Sequence, residues 1–267
     1  MAEKSSKKIA PRRTYSAPAL EKGLDILELL AGEESGLTLS GIAGRLKRSV
    51  SELFRMLVVL EQRGYVHVPS GSDKYVTTLK LFELAHRFRP VQRLTAVAAP
   101  VMKDLSYRCE QSCHLVIYYE GKGHVVAQQD SPSERILSVR LGAEAPLIDS
   151  CSGHLILAYA TPQVRAAMVD RIPKHHRRPA RGEVEKIAKR VLEQGHELVN
   201  SVQIGNVRDI GYPVFDHTGH LIAALVVPFF SYLDDSHPVD ITSTQAVADE
   251  SAQLISRAMG YSPVAGE

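Results

Sequence analysis

Leu37-Thr38-Leu39-Ser40-Gly41-Ile42-Ala43-Gly44-Arg45-Leu46, followed by Arg48-Ser49-Val50-Ser51-Glu52-Leu53-Phe54-Arg55 and then Arg63-Gly64-Tyr65-Val66, is the stretch that decides the fold. Thr38 is a good N-cap, because its hydroxyl can accept from an N–H that the first turn leaves unpaired. Leu39, Ile42, Ala43 and Leu46 fall at i, i+3, i+4 and i+7, one apolar stripe of a helix ending at Leu46. Ser49 can cap a second helix, whose buried side is Leu53, Leu57 and Leu60 with Phe54 and Met56 beside them. Gly64 stops that helix. Tyr65 to Val68 and Tyr75 to Thr78 read as strands around the turn-rich Pro69-Ser70-Gly71-Ser72-Asp73. The pattern predicts a winged helix-turn-helix. Arg48, Ser49, Ser51, Glu52 and Arg55 lie at the N-terminal end of its second helix, which in this motif meets base edges and phosphates in the major groove of double-stranded DNA. A carboxylate at position 52 would repel phosphate but can accept from a cytosine amino group, so Glu52 is expected to read a base.

Upstream, Pro18-Ala19-Leu20 leads into a helix over 21–31, with Leu20, Leu24, Leu27 and Leu30 as one stripe and Ile26 and Leu29 at its border. The winged helix-turn-helix is therefore expected over 19–78. Residues 1–18 read as a flexible basic tail. Downstream, 79–90 is expected to be a linker helix with Leu81, Leu84, Ala85 and Phe88 on one side, interrupted at Pro90. Residues 91–261 then form a second domain. A helix over 91–108 opens it and another over 241–259 closes it. Strands are expected at 112–119, 124–129, 136–141, 197–203, 208–215 and 220–230, and helices at 150–160, after Thr161-Pro162, and over 183–195. Strands inside and helices outside indicate an α+β domain with a mixed or antiparallel sheet.

Composition agrees with two soluble domains. The chain has 267 residues, of which 44% are hydrophobic and 23% charged, ordinary for globular protein. Charge is unevenly spread. Residues 1–95 carry 16 Lys plus Arg against 10 Asp plus Glu, and the rest carry 16 against 20. A basic head on an acidic body suits nucleic-acid binding at one end. The N-terminal residues lack the apolar stretch of a signal peptide or membrane span, so no membrane partner is expected. Cys109, Cys113 and Cys151 make an odd count without a CxxC pair, which argues against a disulfide framework or zinc site and for a reduced, cytoplasmic protein.

Further stretches carry a family resemblance. They are Ala19-Leu20-Glu21-Lys22-Gly23-Leu24-Asp25-Ile26-Leu27, the run 60–66, Ile136-Leu137-Ser138-Val139-Arg140-Leu141-Gly142, Ala145-Pro146-Leu147, Gly153-His154-Leu155-Ile156-Leu157-Ala158, and Val207-Arg208-Asp209-Ile210-Gly211-Tyr212-Pro213-Val214-Phe215-Asp216. In order and spacing the chain resembles the IclR-type (isocitrate lyase regulator) transcriptional regulators from Ala19 onward. The resemblance implies a winged helix joined to a GAF-like domain that binds a small-molecule effector. It also implies homodimers or homotetramers on palindromic operators. No cofactor is expected. Carried over by position, Leu137, Cys151, Ser152, Asp209, Val226 and Pro228 would line the effector pocket.

The chain departs from the family at several of these positions. Its recognition helix begins Ser49-Val50-Ser51-Glu52 where Pro-Lys-Ser-Thr is common. Val226 and Pro228 replace serines found in members that bind small keto acids, and Asp209 replaces a small residue or cysteine. No lysine or arginine falls among the carried-over positions. The pocket is therefore expected to be apolar, for an aromatic or similar molecule with one or two polar handles.

Three other chemistries compete. Ser150-Cys151-Ser152-Gly153-His154 places a thiol near an imidazole, but an enzyme would need a third group to orient the base, and the run is not Gly-x-Ser-x-Gly. The cysteines could make the chain a thiol-redox regulator, given an exposed thiol of low pKa. A helix-turn-helix can also dock protein instead of DNA. His175-His176-Arg177-Arg178 reads as a solvated loop, with no metal site expected there.

Overall fold

The computed structural model describes residues 16–86, 89–231 and 239–262. Most of the basic tail and Phe88 of the linker stripe lie outside the described residues. The chain divides into two compact units between residues 88 and 89.

The first unit contains helices α1 (Pro18–Ala31), α2 (Leu39–Leu46) and α3 (Val50–Gln62). Its strands are β1 (Leu37–Thr38), β2 (Val66–His67) and β3 (Lys74–Thr77), joined antiparallel in the order β1-β3-β2. Thr38 Oγ1 accepts from Gly41 N at 3.1 Å, the expected cap. Lys47 closes α2 in the left-handed region at φ 52°, and Arg48 N reaches back to Ala43 O at 3.0 Å. That closure makes the tight turn into α3. Ile26, Leu30, Ile42, Ala43, Leu53, Leu57 and Val66 form the core.

Two expectations about this core are corrected. Phe54 is 49% exposed, because α3 buries the i, i+4 pair Leu53 and Leu57 and turns its neighbour outward. On α1 the buried pair is Ile26 and Leu30, while Leu20 and Leu24 face solvent. Helix α4 (Lys80–His86) follows the wing.

The second unit opens with α5 (Arg89–Cys109), in which Pro90 falls in the first turn, where its missing N–H has no helical partner to lose. Pro90 thus begins a helix and does not interrupt one. The strands are β4 (Cys113–Tyr119), β5 (Lys122–Gln129), β6 (Glu144–Ala145), β7 (Glu197–Asn200), β8 (Val207–Phe215) and β9 (Leu221–Phe230). All pair antiparallel, in the order β6-β5-β4-β9-β8-β7. Helices α6 (Cys151–Ala158), α7 (Pro162–Asp170), α8 (Glu183–Gln194) and α9 (Ile241–Ala258) complete it.

Strand alternation assigns the faces. Cys113, Leu115, Ile210, Tyr212, Val214, Leu225 and Val227 pack with α5 and α9. The alternate residues Val116, Ala224 and Val226 lie on the other face, with α6 and α8. The stretch 136–141 is not a strand, contrary to its alternating pattern. Gly142, at φ +80°, turns the chain onto β5: its N donates to Val125 O at 2.8 Å, and the strand β6 follows at Glu144.

Candidate functional site

At the N-terminal end of α3, Arg48, Ser49, Ser51 and Arg55 are exposed. The helix starts here because Glu52 folds back: its Oε2 accepts from Ser49 N at 3.3 Å and Ser49 Oγ at 2.9 Å. Its Oε1 accepts from Lys22 Nζ of α1 at 2.8 Å. The Lys22 and Ser49 hydrogen bonds pull the Glu52 carboxyl down to about 2, so it stays ionised. Arg48 Nη2 lies 3.8 Å from Asp25 Oδ2. Arg55 has no ion-pair partner among the described residues. The reading of Arg48, Ser49, Ser51, Glu52 and Arg55 as one exposed polar end did not anticipate their partners Lys22 and Asp25 on α1.

The second candidate is a cavity of about 340 Å³ between the α6 face of the sheet, the N-terminus of α6 and the loops 137–149 and 201–207. Helix α6 comes close to the sheet because Gly211 has no side chain: a Cβ there would stand 2.5 Å from Cys151 Sγ. Gly153 is likewise pressed on Leu147 and Pro146, where a Cβ would meet backbone at 2.4–2.5 Å. Ser150 caps the helix, accepting from Gly153 N at 3.0 Å. The cavity wall includes Leu137, Cys151, Ser152, Asp209, Val226 and Pro228. It also includes His114, Val125, Ser138, Val139, Arg140, Gln203 and Val207, which the sequence did not single out. Arg140 corrects the picture of a wall without cations. Burial alone raises Asp209 to about 6.

Cys151 and His154 are not arranged as nucleophile and base. The thiol donates to Glu197 O at 3.8 Å. Burial, then the charges of Asp209 and Glu197, push its pKa well above the ordinary thiol value. His154 Nδ1 lies 2.8 Å from Glu197 Oε2 and its Nε2 2.9 Å from Ile148 O. Arg190 completes this knot, donating to the same carboxylate oxygen at 2.5 Å. Burial of Glu197 works against ionisation, but the His154 and Arg190 hydrogen bonds outweigh it and keep the carboxyl below its usual range. The group ties α6, α8 and β7 together.

The other thiols fare no better as redox centres. Cys109 and Cys113 are fully buried, and desolvation raises both, Cys109 to about 11. A redox thiol needs the opposite, exposure and a depressed pKa. Glu144 Oε2 lies 4.0 Å from Nε2 of both His175 and His176, so the histidine loop does meet a carboxylate. Lys122 already pairs with that carboxylate.

The comparisons with known proteins agree with this geometry. Residues 19–69 match the IclR helix-turn-helix domain, and residues 90–257 match the bacterial transcriptional regulator IclR C-terminal domain. The chain belongs to the IclR family. The HTH-type transcriptional regulator KdgR of Escherichia coli is 27% identical over 252 residues, covering 92% of this chain and 94% of the relative. The HTH-type transcriptional repressor AllR of Salmonella typhi is 24% identical over 259 residues, covering 95% and 94%. Among solved structures, Thermotoga maritima IclR has a TM-score of 0.71 at 22% identity, covering 91% of this chain and 98% of its own. An IclR homolog of Microbacterium hydrocarbonoxydans complexed with 4-hydroxybenzoate has a TM-score of 0.73 at 22% identity, covering 90% and 98%. This IclR-family chain is thus a transcriptional regulator and not an enzyme, with a helix-turn-helix DNA-binding domain and a C-terminal effector domain. No described helix is long and apolar enough to cross a membrane.

Proposed function

We propose that this IclR-family regulator binds a palindromic DNA operator as a homodimer or homotetramer in the cytoplasm, and is switched by a small aromatic or similarly apolar effector in the cavity beside α6. The observation that carries the effector reading is the wall formed by Leu137, Val226 and Pro228, with Val125, Val139 and Val207 adding to it. Covering a ring with such a wall yields a few kcal/mol at about 25 cal/mol per Å². Keto acids of two or three carbons have too little surface for that. Arg140 allows the effector to carry a carboxylate at the edge of the cavity. The structural neighbour holding 4-hydroxybenzoate supports the same class.

On the DNA side, Arg48, Ser49, Ser51 and Arg55 face the duplex, and Glu52 sits among them as the residue that fixes the first turn of α3. Half-site symmetry follows from pairing two copies. Exposed Leu20, Leu24 and Leu79 in the first unit support such pairing. The effector class is tested by calorimetric titration of the full chain with aromatic acids and with glyoxylate and pyruvate. The expected result is heat and a saturable isotherm with members of the aromatic set. Tight binding of glyoxylate or pyruvate with no aromatic response would refute it.

A further inference from the structure

His114 is a buried polar group that the structure leaves without a partner. It is 8% exposed, and its buried Nδ1 has no hydrogen-bond partner among the described residues. Buried polar groups in folded proteins are nearly always paired, so an exception at a cavity wall needs a reason. Its two neighbours along β4, Cys113 and Leu115, point into the core beneath α5 and α9. His114 therefore faces the α6 side, where it lines the cavity. Burial lowers its pKa to about 4, so the ring is neutral near pH 7 and offers one N–H donor and one acceptor.

The register fixes what surrounds it. His114 stands opposite Val226 on β9, and Asp209 on β8 stands opposite Pro228, two residues further along β9. Two strand spacings across and two residues along separate the His114 and Asp209 Cα atoms by about 12 Å. Val226 and Pro228 form the apolar floor between them. Asp209 has no side-chain hydrogen bond among the described residues either, and its carboxyl is raised by desolvation alone. The cavity thus carries a neutral donor–acceptor at one end and an acceptor at the other, with room for a ring between.

We propose that His114 is the residue that selects the effector, by hydrogen-bonding a phenolic hydroxyl on the ring lying over Val226 and Pro228. This rests on the aromatic-effector reading above and narrows it to hydroxylated rings. A neutral imidazole suits a hydroxyl because both can donate and accept, whereas it cannot balance a carboxylate. The substituent at the far end of the ring meets Asp209 when it is a donor such as an amide, or Arg140 when it is a carboxylate.

The test uses the full chain and two matched pairs, 4-hydroxybenzoate with benzoate and 4-hydroxybenzamide with benzamide. Calorimetry on the unmodified protein should show the hydroxylated member of at least one pair binding about tenfold tighter. In His114→Leu that preference should collapse to within about twofold, while His114→Asn, which keeps a donor and an acceptor, should retain part of it. Should His114→Leu not fold, the ring-nitrogen NMR resonances of His114 in the unmodified protein give the answer. They should move on adding the hydroxylated member and stay in place with its partner. Aromatic binding without hydroxyl preference, a preference that survives in His114→Leu, or resonances that do not move would each overturn the role of His114 while leaving the aromatic reading intact. Binding of pyruvate or glyoxylate with no response to any of the four rings would sink both.

Discussion

At Glu52 the local geometry competes with the role expected from sequence. A lone carboxylate at the tip of a recognition helix looks like a base reader, but Lys22 and Ser49 already bind both of its oxygens. Glu52→Gln removes the ion pair with Lys22 and weakens the first turn of α3. We expect selection from random DNA to return the same preferred site for both proteins, with a slightly lower Tm for the variant. A changed base at one position would instead mean that the carboxylate reads DNA.

Asp209 makes a pH-dependent contribution, and its sign follows from burial. Its folded pKa is raised from 3.8 to about 6, so the folded state holds the proton more tightly than the unfolded chain. The favourable contribution is complete below the unfolded value and is lost as pH rises through about 6. Asp209→Asn should therefore raise Tm at pH 7–8, by an amount reflecting about 1.4 kcal/mol per unit of pKa shift relieved. The gain should vanish near pH 4. Thermal melts of both proteins across this range check it, and a gain that grows toward acid pH would contradict the burial argument. Family position brought together Leu137, Cys151, Ser152, Asp209, Val226 and Pro228, and all six line one cavity. His114 was not singled out, because the buried run of β4 shows no polar alternation, and its face follows only from the packing of Cys113 and Leu115 under α5 and α9.

At the scale of elements, caps and periodicity were the readable features. Thr38, Ser150, Thr161 and Asp240 each accept from an N–H three residues on, which is how the sequence marks the starts of α2, α6, α7 and α9. Strand β1 was not readable, since two residues carry no period and Leu37–Thr38 is extended only through its pairing with β3. The stretch 136–141 misled for the opposite reason. Its alternation belongs to a loop, with Leu137 and Val139 on the cavity and Ile136 and Leu141 exposed. The turn between α2 and α3 leaves Arg48 and Arg55 exposed on the end of α3. If each contacts a phosphate, Arg48→Ala and Arg55→Ala should weaken binding to all sequences alike and flatten the dependence of log affinity on log salt by about one unit each. Unchanged affinity and slope in both variants, measured by mobility shift at several salt concentrations, would remove them from the interface.

In the whole molecule, the helix-turn-helix and the cavity beside α6 belong to separate compact units of one chain. An effector can change DNA affinity only if it binds one arrangement of the assembly better than another. Couplings of this kind amount to about 5–150-fold in affinity. Regulation by an aromatic effector is checked by fluorescence anisotropy of the full chain on a duplex recovered by selection, with and without a saturating amount of the tightest-binding aromatic compound. Sequence-specific binding is expected, with a Kd that shifts at least fivefold on adding that compound. That shift should be lost in Val226→Arg, which fills the cavity and leaves every residue of the helix-turn-helix unchanged. Specific DNA binding that no aromatic compound alters, or a shift that persists in Val226→Arg, would contradict it.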